Sequence, residues 1–247
     1  MVAKFLILSG DGINCEKETL AAFQKVGLAG NIIHINELVK NKSCLKEYQG
    51  LALPGGFSFG DELGSGQVLA LKIKKLLYQE FYEFVDDNKP IIGICNGFQV
   101  LIRLGLLPDH RSDRVLGLTH NSTGHFIDQW TDLDVPESTC LWTKGMGSIE
   151  LPIRHGEGRI VLAKNREFEI SSYLKENKLI ALTYKTDING SHEKIAGLTN
   201  KTGTILGLMP HPEAFMVKGL RGAGASVRDV QSPGDGNHFF KNIKYIL

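Results

Sequence analysis

The stretch PIIGICNGFQVL, Pro90–Leu101, sets the reading of the whole chain. A fully apolar run, Ile91 to Ile94, stops at small residues around Cys95, and a second apolar run, Phe98 to Leu104, ends near Gly105 and Pro108. The first suits a buried strand and the second a helix. A strand, a tight turn and a helix place the turn residue at the carboxyl end of a parallel sheet, where open α/β folds bind ligands. Gly93 precedes Cys95 by two residues and Gly97 follows by two, the spacing of the G-x-S-x-G nucleophile elbow. The amide N–H after the cysteine can then face a reacting carbonyl, and the helix N-terminus favours thiolate over thiol. The same spacing accommodates a silent core cysteine, because buried structural cysteines are common. Partners elsewhere in the chain must separate the two readings.

Outward from this stretch, strands alternate with helices. Phe5–Leu8 reads as a first strand, Cys15–Val26 as a helix, Ile32–Ile35 and Gly50–Leu53 as strands, and Gly66–Asn88 as one long amphipathic helix. Such alternation implies parallel βαβ units, and near-continuous apolar strands suit a sheet covered on both faces. The region 110–137 is more polar and yields no assignment. Beyond it, Ser148–Ile153, Arg159–Leu162, Leu179–Tyr184, Ile195–Leu198 and Thr204–Met209 form a β-rich second half, with a last helix near Asn237–Tyr245. The expected fold is α/β: a single-domain, open, mostly parallel flavodoxin-like sheet with helices on both faces. Additional, partly antiparallel strands occupy the second half, and residues 1–247 form one domain.

Composition excludes several classes. With 28 basic and 27 acidic residues the formal charge is +1, which calls for neither nucleic acid nor an anionic membrane. The four cysteines are scattered, so neither a zinc site nor a disulfide framework is expected. The apolar core of MVAKFLILSGDG is too short for a signal peptide or a membrane span, and a cytoplasmic protein is expected. There is no GxxxxGK[ST] and no GxGxxG, so no cofactor or nucleotide is expected in this chain.

A thiol nucleophile needs a base, and the base needs an orienting group. Among eight histidines, His211 stands out in LGLMPHPEAF, just after an apolar run. Prolines on both sides restrict its backbone, and Glu213 can accept the second ring N–H. A turn that merely caps a strand explains HPE about as well; its force lies in the pairing with Cys95. In LALPGGFSFGDELGSG, residues 51–66, the strand breaks at Pro54, and Gly55 and Gly56 expose backbone N–H groups. This loop can supply one donor of an oxyanion hole and Asn96 the other; one such donor is worth about 2.7–4 kcal/mol. A purely structural or phosphate-binding glycine turn is the alternative.

Together, PGGFSFGD, GICNGFQ and MPHPE resemble the class I (triad) glutamine amidotransferases. GINCE (Gly12–Glu16), GGFSFGD (Gly55–Asp61), CNGFQ (Cys95–Gln99) and HGEG (His155–Gly158) are most similar to the glutaminase branch of phosphoribosylformylglycinamidine synthase, over Phe5 to about Phe215. The resemblance implies that Cys95 forms a γ-glutamyl thioester with substrate glutamine, with His211 as proton shuttle and Glu213 orienting it. It implies that Gly56 and Asn96 hold the oxyanion and that Gln99 holds glutamine. It further implies that ammonia passes to a separate formylglycinamide ribonucleotide synthetase subunit, with or without a small helper subunit, where ATP and magnesium act.

The chain departs from the family pattern at ELGSGQ, where Gly64 replaces a common arginine, and in the 216–236 tail, so no role is carried to Arg221 or Arg228. His155 is expected to hold a loop or interface as readily as to touch chemistry, and Cys15 is expected to be structural. Rival readings are a glutaminase serving a different synthetase, a non-catalytic regulatory member of the fold, and a cysteine hydrolase of another class on a related flavodoxin-like sheet. Retention of Cys95, His211 and Glu213 weighs against the non-catalytic one.

Overall fold

The computed structural model describes residues 2–109, 114–221 and 230–247; Arg228 and residues 110–113 of the unassigned polar region lie outside them. In chain order the elements are β1 (Lys4–Ser9), α1 (Glu16–Lys25), β2 (Ala29–His34), α2 (Ile35–Lys40), β3 (Gly50–Leu53), α3 (Gln67–Leu76), α4 (Tyr78–Asp86), β4 (Ile91–Ile94) and α5 (Asn96–Leu104). There follow β5 (Leu116–Thr119), β6 (Ile127–Asp134), β7 (Ile149–His155), β8 (Arg159–Leu162), α6 (Glu167–Glu176), β9 (Ile180–Tyr184), β10 (Ile195–Thr199), β11 (Ile205–Leu208) and α7 (Asn237–Lys244).

Nine strands form one sheet in the order β2-β1-β3-β4-β11-β10-β9-β6-β7, and β5 pairs with β8 separately. The first five run parallel. From β11 onward every pairing is antiparallel. The mixed sheet thus has a parallel core and antiparallel strands in the second half, as the apolar patterns anticipate. Strands β3, β4, β10 and β11 are buried at every position, which their unbroken apolar runs require of strands covered on both faces. No helix among the described residues is long and apolar enough to cross a membrane.

Three expectations change. The amphipathic stretch 66–88 is two helices, α3 and α4, because Leu77 leaves helical geometry (φ −129°, ψ 16°). Leu77 is completely buried there, so anchoring it in the core outweighs continuing the helix. Ile35 begins α2 rather than ending β2; the Nδ1 of His34 accepts the N–H of Asn36 and caps that helix. The polar 110–137 region contributes β5 and the eight-residue β6. Strand β6 carries IDQWTDLD, whose exposed positions gave too little apolar alternation for a strand to be read.

Helix α5 is buried along almost its whole length, packed on α3, β3, β4, β11 and β5. That central position fixes the turn at its N-terminus. The carboxyl ends of β1, β3, β4 and β11 lie side by side, since Leu53 pairs with Gly93 and Ile94 with Leu208. Their outgoing loops carry GINCE, PGG, Cys95 and His211.

Candidate active site

Cys95 links β4 to α5 with φ 52° and ψ −105°, a backbone conformation that L-residues rarely adopt. Its N–H donates to the carbonyl of Leu208 (2.8 Å), tying the turn to the neighbouring strand end. Close packing explains the glycine that follows: a Cβ at Gly97 would lie 1.8 Å from the carbonyl oxygen of Leu53. The backbones of α5 and β3 touch there, and the elbow is held in its strained form by the layers on either side.

The PGG loop is joined to the GINCE loop by an isolated antiparallel bridge between Ile13 and Gly56. The carbonyl of Gly55 accepts the N–H groups of Asn14 and Cys15 (both 3.3 Å), and Phe57 donates to Gly12 (2.8 Å). In a trans peptide the C=O and N–H point in opposite directions, so the N–H of Gly56 points away from the GINCE loop. Among the described residues neither this N–H nor that of Asn96 has a protein acceptor. The Asn96 side chain knits the two turns together: its Oδ1 accepts the N–H of Ser58, and its Nδ2 donates to Asp61 and Gln99.

His211 leaves β11 through Met209 and Pro210, and its N–H donates to the carbonyl of Pro152 on β7 (2.9 Å). Its Nδ1 donates to Oε1 of Glu213 at 2.6 Å, and both side chains are buried. Burial alone would lower this imidazole's proton affinity, but the Glu213 carboxylate and the thiols of Cys15 and Cys95 outweigh it and hold it well above the usual value. Its Nε2 is buried with no hydrogen-bond partner, as is Oε2 of Glu213. Neither thiol is in hydrogen-bond geometry with Nε2; that of Cys95 is directed at the carbonyl of Arg154 (3.6 Å). Such bonds commonly tighten only when substrate is bound.

A cavity of about 220 Å³ opens above the cysteine, lined by Gly56, Asp61, Cys95, Gln99, Arg154 and Glu157 among others. The exposed rings of Phe57 and Phe126 stand 6.4 Å apart at its rim. A larger groove of about 650 Å³ reaches Glu213 from the other side but does not reach Cys95. Of the two, it is the smaller cavity that Cys95 lines.

HGEG encloses a buried histidine. The side chain of Asn121 accepts from Nδ1 of His155 (3.0 Å) and the N–H of Gly158 (3.2 Å), and donates to the carbonyls of His125 and His155. Nε2 of His155 faces the hydroxyl of Tyr184 at 3.5 Å. A Cβ at Gly158 would lie 2.4 Å from the His155 ring, so glycine leaves the space the ring fills. Burial, and secondarily the charge of His211, push the His155 imidazole down to about 4, so it is neutral. Gln99 is bound into the same loop: its Nε2 donates to the carbonyl of Glu157 (2.6 Å) while Oε1 accepts from Asn96 (2.9 Å). Gln99 lines the cavity with its amide engaged at both ends.

The structure therefore brings Cys95, His211, Glu213, Gly55, Gly56, Asn96 and Gln99 together. Sequence reasoning passed over Asp61, which lies inside GGFSFGD. Its carboxyl is raised by burial against the opposing bonds from Gly66, Ser65 and Asn96. It also passed over Asn121 and Tyr184, which sit in no motif. At Gly64 a Cβ would lie 2.8 Å from the guanidinium of Arg103, which donates to the carbonyl of Ser65. An arginine from α5 thus occupies the space beside the position where the resemblance expects one. Arg221, left without a role, pairs with Glu150 on β7.

Comparisons with known proteins show the family and the fold. The sequence model of the CobB/CobQ-like glutamine amidotransferase domain matches residues 2–244. The phosphoribosylformylglycinamidine synthase subunit PurQ of Methanococcus maripaludis (strain C5) is 42% identical over 228 residues, covering 86% of this chain and 83% of that protein. The PurQ subunit of Dehalococcoides mccartyi is 39% identical, covering 97% of this chain and 95% of its own. The structure of PurLQS from Thermotoga maritima superimposes with a TM-score of 0.78 at 30% identity, over 100% of both chains.

Proposed function

Because the chain belongs to the CobB/CobQ-like glutamine amidotransferase family, in the branch of PurQ subunits of phosphoribosylformylglycinamidine synthase, we propose that Cys95, His211 and Glu213 carry its glutaminase reaction. The chain is the glutaminase subunit of that synthase and acts in purine biosynthesis. The observation that carries the residue assignment is the meeting of two adjacent strand ends, β4 and β11. One presents a strained cysteine elbow and the other a buried His–Glu pair 2.6 Å apart.

In this mechanism glutamine enters the 220 Å³ cavity with its side-chain amide over Cys95. The thiol turns from the Arg154 carbonyl toward Nε2 of His211, gives up its proton and attacks the amide carbon. The N–H groups of Gly56 and Asn96 receive the oxyanion. His211 returns the proton to nitrogen, ammonia leaves, and a thioester remains on Cys95. Water, deprotonated by the same imidazole, releases glutamate and restores the thiol. Glu213 fixes the ring tautomer and stabilises the imidazolium. Ammonia passes to a separate synthetase subunit, where ATP and magnesium activate formylglycinamide ribonucleotide; the match to PurLQS supports such an assembly.

The test is alkylation with a glutamine-like diazo-ketone followed by peptide mapping. Label on Cys95 alone, with glutaminase activity lost in proportion, is the expected result. Label on Cys15, Cys44 or Cys140 in its place overturns the assignment.

A further inference from the structure

The mechanism leaves one buried thiol of the site without a task. Cys15 forms the N-cap of α1, held by its N–H to Gly55 and by Thr19, whose N–H and hydroxyl both donate to the Cys15 carbonyl. Its sulfur, a nitrogen of His211 and an oxygen of Glu213 all lie within 4.8 Å of one another. Gly55 separates it from the nucleophile. A Cβ built there would be 3.3 Å from Sγ of Cys15, 3.5 Å from Cβ of Cys95 and 2.8 Å from the His211 ring. Both cysteines thus touch one small space that carries no side chain, and the orphaned Nε2 of His211 is buried beside them. Cys140 is buried in the hydrophobic core and Cys44 follows α2, so neither shares this arrangement.

We propose that Cys15 is a resolving thiol for Cys95, forming a reversible intramolecular disulfide when the nucleophile meets a hydroperoxide. The inference rests on the reading of Cys95 as nucleophile. Cys95 gives its proton to His211, the thiolate attacks the distal peroxide oxygen and the O–O bond breaks; Cys95 becomes a sulfenic acid, and His211 returns the proton to the leaving oxygen, which departs as water or an alcohol. The Cys15 sulfur then attacks the Cys95 sulfur and the S–O bond breaks. The Cys15 thiol proton passes to His211, which delivers it to the departing hydroxide as water, so the two thiols are oxidised by two electrons and the peroxide is reduced by two. Each thiol now rests on a local acceptor, Asn14 for Cys15 and the Arg154 carbonyl for Cys95, and closure turns both away from these. A small-molecule dithiol restores both by exchange. The disulfide keeps Cys95 from the irreversible sulfinic and sulfonic states.

The full chain is exposed to hydrogen peroxide, quenched with an alkylating agent and mapped without reduction. The expected product is a Cys15–Cys95 cross-linked peptide lacking two hydrogens, with glutaminase activity lost and then recovered on adding dithiothreitol. In Cys15→Ser, activity normalised to that variant's untreated sample stays lost, and Cys95 carries two or three added oxygens. Wild-type protein with sulfinic Cys95 and no cross-link overturns the proposal, whether or not the variant folds. So does full recovery by Cys15→Ser. Peptide mapping reads sulfur chemistry alone, so failure here is distinguishable from failure of the glutaminase assignment, which the diazo-ketone reports.

Discussion

Two glycine-punctuated turns, GICNG after β4 and HGEG after β7, stand on either side of one cavity and do opposite things with their central side chains. In the elbow, glycine lets backbone meet backbone: Gly97 lies against the carbonyl of Leu53, and the side chain of Cys95, on its strained backbone, is left at the cavity. In HGEG, glycine makes room for the side chain itself. The His155 ring lies over Gly158, is clamped by Asn121 and Tyr184, and stays neutral. Glycine spacing therefore marks a close approach without saying what approaches. A carbonyl in the vacant space expels the neighbouring side chain toward the ligand, whereas an imidazole there becomes wall.

This contrast has measurable consequences. Cys95→Ala is expected to lower glutamine-dependent turnover by about 10⁴-fold or more, as removal of a catalytic nucleophile does. Synthesis by the reconstituted complex from added ammonia should persist, and comparing the two nitrogen donors in one assay checks it. Glu213→Gln keeps the shape but loses the carboxylate and the tautomer control, and kcat should fall about 10³–10⁴-fold. Steady-state kinetics of the same complex reads this; a decrease confined to KM would contradict the orienting role.

The two glycines separate next. Gly97→Ala must move backbone against backbone and should cost about 4 kcal/mol or more in urea unfolding, a severe class of substitution. Gly158→Ala displaces a ring and should cost about 2 kcal/mol. Equal costs would remove the distinction between the turns.

A further effect, spread over several pH units, is a pH dependence. His155 is pushed from 6.5 to about 4 in the folded chain, so the unfolded chain takes up the proton first as pH falls. Its contribution to stability is complete above about 6.5 and is lost on descent to about 4, on the order of 3 kcal/mol in total. His155→Gln should flatten the stability–pH slope across that window, and an unchanged slope would place the titration elsewhere. His211 works in the opposite sense: its proton affinity is raised, so its contribution is present below 6.5 and is lost as pH rises through the folded value.

The parallel strands β3 and β4 were legible because burial on both faces leaves unbroken apolar runs between glycines and prolines; β11 was legible as a strand but not as the parallel partner of β4. Strand β6 was not, because IDQWTDLD draws its strand character from pairing with β7 and β9 rather than from its own alternation. The break at Leu77 was equally hidden, since its cause is burial against elements distant in sequence.

The site divides along the same line. Cys95, His211 and Glu213 were readable because elbow spacing and flanking prolines are local properties of the chain, set by steric limits on a few adjacent residues. Asn121, Tyr184 and the nearness of Cys15 to His211 were not readable, because each depends on which strand ends the sheet order sets side by side. Local sterics fix the conformation of a turn and so the residue it presents. Only the packing of layers brings distant turns together, and with it come the neutral His155, the raised His211 and the second thiol near Cys95.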